Sequence, residues 1–269
     1  MNGLVSMGLP ASRPQRRSSW SRSRLLALFY FVAMPLAAGA QSLDASATGM
    51  QRIGQFEIDR TEVSIGQFAA YVAATGAVTE AERQGGQTYE SGWQRRAGWH
   101  WRAPFGTPGG PREPAVHLTH PEAAAYCRWA GKRLPTDREW GEAAYTEHRV
   151  SPPQPWIAGR SYRYPTGDHP SGANCLEGCG QVATVARAVT SRGRGHAEVG
   201  RSAAGVNGLY DMGGNVWEWV DSGAGSEQRT RGGSWWYGPE AMRDDHVQTK
   251  PATMSAVYIG FRCARDARP

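Results

Sequence analysis

Apolar and polar positions alternate only in short stretches of this chain, and its helical periods are brief. Phe56-Glu57-Ile58-Asp59-Arg60 alternates with period two and predicts a short strand. Ser64-Ile65-Gly66-Gln67 then reads as a capping box, in which the hydroxyl accepts from the amide three residues on while the glutamine reaches back. A helix is predicted from about Ile65 to Thr75, with Phe68, Tyr71 and Val72 on one face and Gly76 as its stop. The same signature at Thr119-His120-Pro121-Glu122 and Thr136-Asp137-Arg138-Glu139 starts helices near 120–130 and 137–146. Residues 77–114 hold no sustained period. Trp93, Trp99 and Trp101 lie there among Gly, Pro and Arg, and predict a long ordered loop held by aromatic burial. Residues 150–205 are loop-like as well. No repeat of solenoid length occurs, and no linker divides the domain.

The first forty residues have a different pattern. Arg13, Arg16, Arg17, Arg22 and Arg24 form a basic stretch without acids, followed by an apolar run from Leu25 to Leu36 and then Ala38-Gly39-Ala40. This predicts a secretory signal peptide cleaved after Ala40, and hence a periplasmic or secreted protein. The run falls short of the roughly 20 residues of a membrane span, and an uncleaved anchor is the alternative. Arg16-Arg17 leaves general and twin-arginine export both open. Residues 41–50 read as a flexible leader and 51–269 as the folded domain.

Removing that segment changes the charge picture. The net +6 of the whole chain falls to 25 basic against 24 acidic residues, so nucleic-acid binding has no electrostatic support. Thirty-four glycines and seventeen prolines argue for a loop-rich fold of short elements, with eleven tryptophans supplying much of the apolar mass. The only lysines are Lys132 and Lys250, a scarcity we read as genome composition. Cys127, Cys175, Cys179 and Cys263 are an even number, and two disulfides are expected in an oxidising compartment.

Three runs late in the chain carry the most information: GLYDMGGNVWEWV from Gly208, RGGSWW from Arg231 and GFRCAR from Gly260. With AYCRWAGKRLPTDREW and FEIDRTEVSIGQFAAYV upstream, they resemble the formylglycine-generating-enzyme (sulfatase-modifying-factor) family, in the family's order and from about Phe56 to Arg265. The resemblance implies an irregular, loop-rich α+β fold related to C-type lectins, in a single domain. It implies a Cys127–Cys263 bridge. Cys175 and Cys179 resemble the ANC…CG segment of bacterial members and are expected to form a structural bridge, with a metal-binding or redox pair as the alternative. It implies a structural calcium on Asp211, Gly214, Val216 and Glu218; the alternative is that Glu218 pairs locally. A second family calcium would use Asn174 and a downstream aspartate, which is absent between Gly180 and Gly200.

One departure from the family pattern bears directly on chemistry. The family's copper-binding cysteines stand three and eight residues after the serine of the GGS motif; here those positions are Tyr237 and Met242. Without two thiolates a linear copper(I) site cannot form, so copper and cysteine oxidation are not expected. The resemblance is nearest to cysteine-free members such as the pyoverdine-maturation proteins. It implies a divergent oxidoreductase or maturation enzyme acting on a peptide or peptide-derived metabolite. Trp235, Trp236 and Arg262 would line its groove. Ser234, Tyr237, Glu240 and His246 are the candidate catalytic residues, and Asp244 and Asp245 would line the groove beside them; a carboxylate or His246 would serve as general base, though a solvated loop position for His246 stays open. The competing reading is a non-catalytic, calcium-stabilised peptide- or glycan-binding module. An iron sulfoxide synthase would need a separate helical domain for which the chain has no room. The expected partner is a peptide or peptide-like ligand of a monomer that is at most peripheral to a membrane.

Overall fold

The computed structural model describes residues 49–223 and 225–268. The expected signal peptide and most of the leader lie outside them. Met50, however, belongs to a strand, so the domain begins before residue 51. Strand β1 (Met50–Ile53) pairs antiparallel with β2 (Phe56–Asp59), and β2 pairs with β9 (Ala264–Asp266). The start and end of the domain are thereby tied together.

Local chemistry sets the helices. In α1 (Ile65–Thr75), α3 (His120–Trp129) and α4 (Asp137–Tyr145), Ser64, Thr119 and Thr136 each close the reciprocal capping box, and Gly76 ends α1 in the left-handed conformation. A fourth box at Thr79 and Glu82 starts the short α2 (Glu80–Gln84). Residues 77–114 are therefore not one loop. They hold α2 and a hairpin of β3 (Gly86–Tyr89) and β4 (Trp93–Arg96). Trp99 and Trp101 are buried as expected, whereas Trp93 is 49% exposed on that hairpin.

A four-stranded sheet has the order β7-β6-β5-β8, formed by β5 (Trp217–Trp219), β6 (Glu227–Arg231), β7 (Gln248–Pro251) and β8 (Ile259–Gly260). Its register opposes Trp219 to Thr230, Thr230 to Gln248 and Gln228 to Lys250. Side chains alternate along a strand, so Trp217, Trp219, Gln228, Thr230, Gln248 and Lys250 share one face, and Glu218, Arg229 and Arg231 share the other. Residues 150–205 contain no helix or strand, in line with the sequence pattern.

Both disulfides form as expected, Cys127–Cys263 and Cys175–Cys179, with Cα separations of 5.6 and 5.9 Å. The first joins α3 to the C-terminal segment across 136 residues. On the chain-entropy account such a closure stabilises the fold by about 4–5 kcal/mol.

Candidate functional site

Two side-chain clusters meet at β5, one on each face. The first is ionic and sealed. Arg262 is 0% exposed, and its Nε and Nη2 donate to Glu218 Oε2 and Oε1, each at 2.7 Å. Its guanidinium also donates to the carbonyls of Asp59 (3.0 Å) and Tyr210 (2.8 Å), while Trp140 Nε1 donates to Glu218 Oε2 at 2.7 Å. Asp211 holds a positive φ of 58° and accepts from the amides of Gly200 and Ser202. Glu62 completes the group, accepting from Asn215 Nδ2 at 2.8 Å and the Val216 amide at 3.2 Å. Burial, then the charges of Asp211 and Glu218, push the Glu62 carboxyl well above its usual range. Burial also raises Asp211. Arg262 is thus a core ion-pair residue and not a wall of a groove, because three buried carboxylates require its charge.

This cluster includes two of the expected calcium ligands. The charge of Glu62, Asp211 and Glu218 against one guanidinium suits a cation. The side-chain geometry does not: Glu218 places both oxygens on Arg262 and Trp140, and among the described residues no three acidic, histidine or cysteine side chains converge as a metal cage. A calcium here would have to rest on backbone carbonyls of the loop. That loop is tight: a Cβ on Gly214 (φ 79°) would lie 2.4 Å from Asn174 O. Asn174 itself is fully used. Its Oδ1 accepts from Arg194 Nη2 at 2.7 Å, and its amide donates to Asn215 Oδ1 and Gly195 O.

The second cluster is aromatic and partly open. Trp217 meets Tyr237 edge-on (ring centroids 5.6 Å apart) and stacks with His246 (5.9 Å), and Lys250 Nζ stands 5.1 Å from its ring centre. Tyr237 continues to Tyr258 at 5.7 Å, and Tyr258 to Trp236 and to the exposed Trp93 of the hairpin. Trp93 in turn contacts exposed Tyr89 at 5.5 Å. A continuous aromatic band therefore runs from the surface hairpin to His246. Arg192 lies over Trp236 at 5.1 Å. Among the described residues of this cluster, Trp217 Nε1 and His246 Nε2 are buried without a hydrogen-bond partner, as are several atoms elsewhere in the fold, Trp101 Nε1 and Trp235 Nε1 among them. The two that meet on one stacked pair of rings make a place where a ligand or water fits.

Several expected site residues lie elsewhere. Trp235 and Trp236 are buried in the main core and do not line an open groove. Their segment is not extended. Gly232 at φ 92° and Gly233 at φ 75° bend it into a turn that sends both indoles inward, and a Cβ on Gly232 would meet Met212 O at 2.6 Å. Ser234 is also buried, and its hydroxyl accepts from the Trp236 amide at 3.3 Å, which makes it a turn residue. Glu240 is exposed, as are Asp244 and Asp245, the latter paired with Arg243. Met242 is sealed against Ala173 and the Cys175–Cys179 bridge. Of the catalytic candidates, Tyr237 and His246 alone are brought together. His246 is half-buried on Trp217 and is not a solvated loop residue. Glu62 in the ionic cluster, and Tyr258, Trp93 and Lys250 in the aromatic one, are members that the sequence pattern did not place at a site. A further buried pair, His196 Nε2 and Glu113 at 2.9 Å, stands beside Phe105; hydrogen bonds from His196 and Arg187 outweigh burial and hold Glu113 down at about 2.

Comparison with known proteins gives a consistent result. A family model described as the sulfatase-modifying factor enzyme 1-like domain matches residues 33–267. The chain is 30% identical to the formylglycine-generating enzyme of Streptomyces coelicolor, over 96% of this chain and 92% of that one. It is 29% identical to the hercynine oxygenase of Mycolicibacterium thermoresistibile, over 78% of this chain and 51% of that one. Among solved structures, PvdO from Pseudomonas aeruginosa shares the fold, with a TM-score of 0.52 and 22% identity over 79% of this chain and 80% of that one.

Proposed function

We propose, for a chain that belongs to the sulfatase-modifying-factor family, a divergent oxidoreductase or maturation enzyme acting after export on a peptide or peptide-derived metabolite. The observation that carries this reading is the fate of the two positions where the family pattern has copper-binding cysteines. Met242 is sealed in the core, while Tyr237 stands half-buried in an aromatic cluster whose indole and imidazole nitrogens lack partners. All four cysteines are bridged, so the donor set does not fit copper(I), and no step is routed through that metal. The chain's own residues offer stacking surfaces, the Tyr237 hydroxyl as a donor, and His246 as a group that takes or returns a proton beside a bound ligand. The hercynine oxygenase relative supports oxidative chemistry within the family. A structural calcium on the loop at Asp211, Gly214 and Val216 belongs to the same reading, supported by the excess of buried carboxylates.

Incubating the purified protein with a library of short peptides in air, and weighing the products, tests the enzymatic reading. At least one peptide should lose two hydrogens or gain oxygen, and His246→Ala should abolish the change. Peptides returned unaltered would sink this reading. Peptides retained but unaltered would favour the binding module, which the adjacent exposed rings of Tyr89 and Trp93 already suit.

A further inference from the structure

Lys250 projects from β7 onto the face of the sheet that carries Trp217 and Trp219. It is 7% exposed, although lysine is among the residues least often buried. Its Nζ makes one hydrogen bond, to Gln248 Oε1 at 2.5 Å, and lies over the Trp217 ring. The sheet residues around it on that face are Gln228, Thr230 and Gln248, none of them acidic, and among the described residues no carboxylate reaches it. The other lysine is its counterexample: Lys132 is ion-paired with Asp59 at 2.5 Å. Buried ammonium groups are ordinarily paired, so an amine held among indoles and amides is costly to keep charged. Burial accordingly pushes its pKa down to about 8.

We propose that Lys250 is a nucleophilic amine of the aromatic site, which condenses with an aldehyde or ketone carbonyl of the bound ligand to form an imine. The neutral nitrogen attacks the carbonyl carbon and a C–N bond forms. The carbonyl oxygen then leaves as water, carrying the two hydrogens of the amine, and a C=N bond remains; nothing is oxidised or reduced. His246, stacked on the same indole, is the group of this cluster that would give a proton to the departing hydroxyl and recover one. Trp217 and Tyr237 supply flat surfaces for an aromatic or unsaturated carbonyl compound. The inference rests on the reading that this cluster is the ligand site, and names the ligand class as carbonyl-bearing.

The test uses the full chain with benzaldehyde and cyanoborohydride at pH 7, locating adducts by peptide mass mapping. Lys132 is the internal control in the same molecule. Lys250 should be alkylated at least about tenfold faster than Lys132, as expected of an amine with a substantial neutral fraction, and Lys250→Arg should lose that adduct. Equal rates at the two lysines, or labelling of Lys250 only after denaturation, would overturn the proposal. A peptide that binds wild type and Lys250→Arg alike while Lys250 stays unlabelled removes the amine's role and leaves the ligand site standing. Fast labelling that no bound peptide slows keeps the reactive amine and removes the peptide-site reading.

Discussion

The two faces of β5 place opposite kinds of chemistry one residue apart. Glu218 turns into a cluster in which every charged group has a hydrogen-bonded partner, and Trp217 turns into one where an indole and an imidazole nitrogen have none. Buried polar groups that are satisfied specify a fold, whereas orphaned ones are tolerated where something else is meant to meet them. The ionic face is therefore architecture and the aromatic face is the candidate site. Family motif residues fall on both faces, so motif membership alone does not separate the two roles.

The comparison is broken most forcefully on the ionic side. Arg262→Met leaves Glu218 buried without its partner, which should cost about 3–5 kcal/mol and lower the melting temperature on the order of 10 °C. A melt within a degree or two of wild type would show that the guanidinium is not what holds the cluster. A smaller effect concerns pH. The Glu62 carboxyl is raised in the folded state, so the fold holds more protons than the unfolded chain above the ordinary carboxylate range. Its contribution is present at low pH and is lost as pH rises through the folded pKa. Glu62→Gln should flatten the decline of stability as pH rises above the ordinary carboxylate range; unfolding curves at several pH values would show an unchanged slope if the raised carboxyl were not Glu62. Smallest of all is metal removal. Because Arg262 already meets Glu218, dialysis against a chelator should lower the melting temperature by only about 2–4 °C, restored by added calcium. No shift would mean that this loop binds no calcium.

The sequence reveals the local features of the molecule better than the long-range ones. Three capping boxes predict α1, α3 and α4 because the signature and the hydrogen bonds it makes lie within four residues. Thr79-Glu80-Ala81-Glu82 carries the same signature and is equally readable, but the absence of an apolar period around it hides α2. Trp235 and Trp236 show the limit of a motif reading: two left-handed glycines upstream turn the segment, so both indoles enter the core where the motif implied a groove. Lys250 shows the deeper limit. The scarcity of lysine is visible in composition, yet the place of Lys250 over Trp217 depends on two successive registers, β7 on β6 and β6 on β5, that no local pattern announces. Within the ionic cluster, Asp211 and Glu218 come from one motif, but Glu62 arrives from the start of the domain and no spacing announces it.

The central claim is that the Trp217 face, and not the ionic face, receives the ligand. Native mass spectrometry of the protein equilibrated with a short-peptide library tests it directly, comparing wild type with Tyr237→Ala. Tyr237 is half-buried at the edge of the cluster, so its truncation should leave the melting temperature within a few degrees. The account predicts that wild type retains a subset of peptides and that Tyr237→Ala loses them at least about tenfold in affinity. Retention undiminished in Tyr237→Ala, or no peptide retained by wild type, would contradict it.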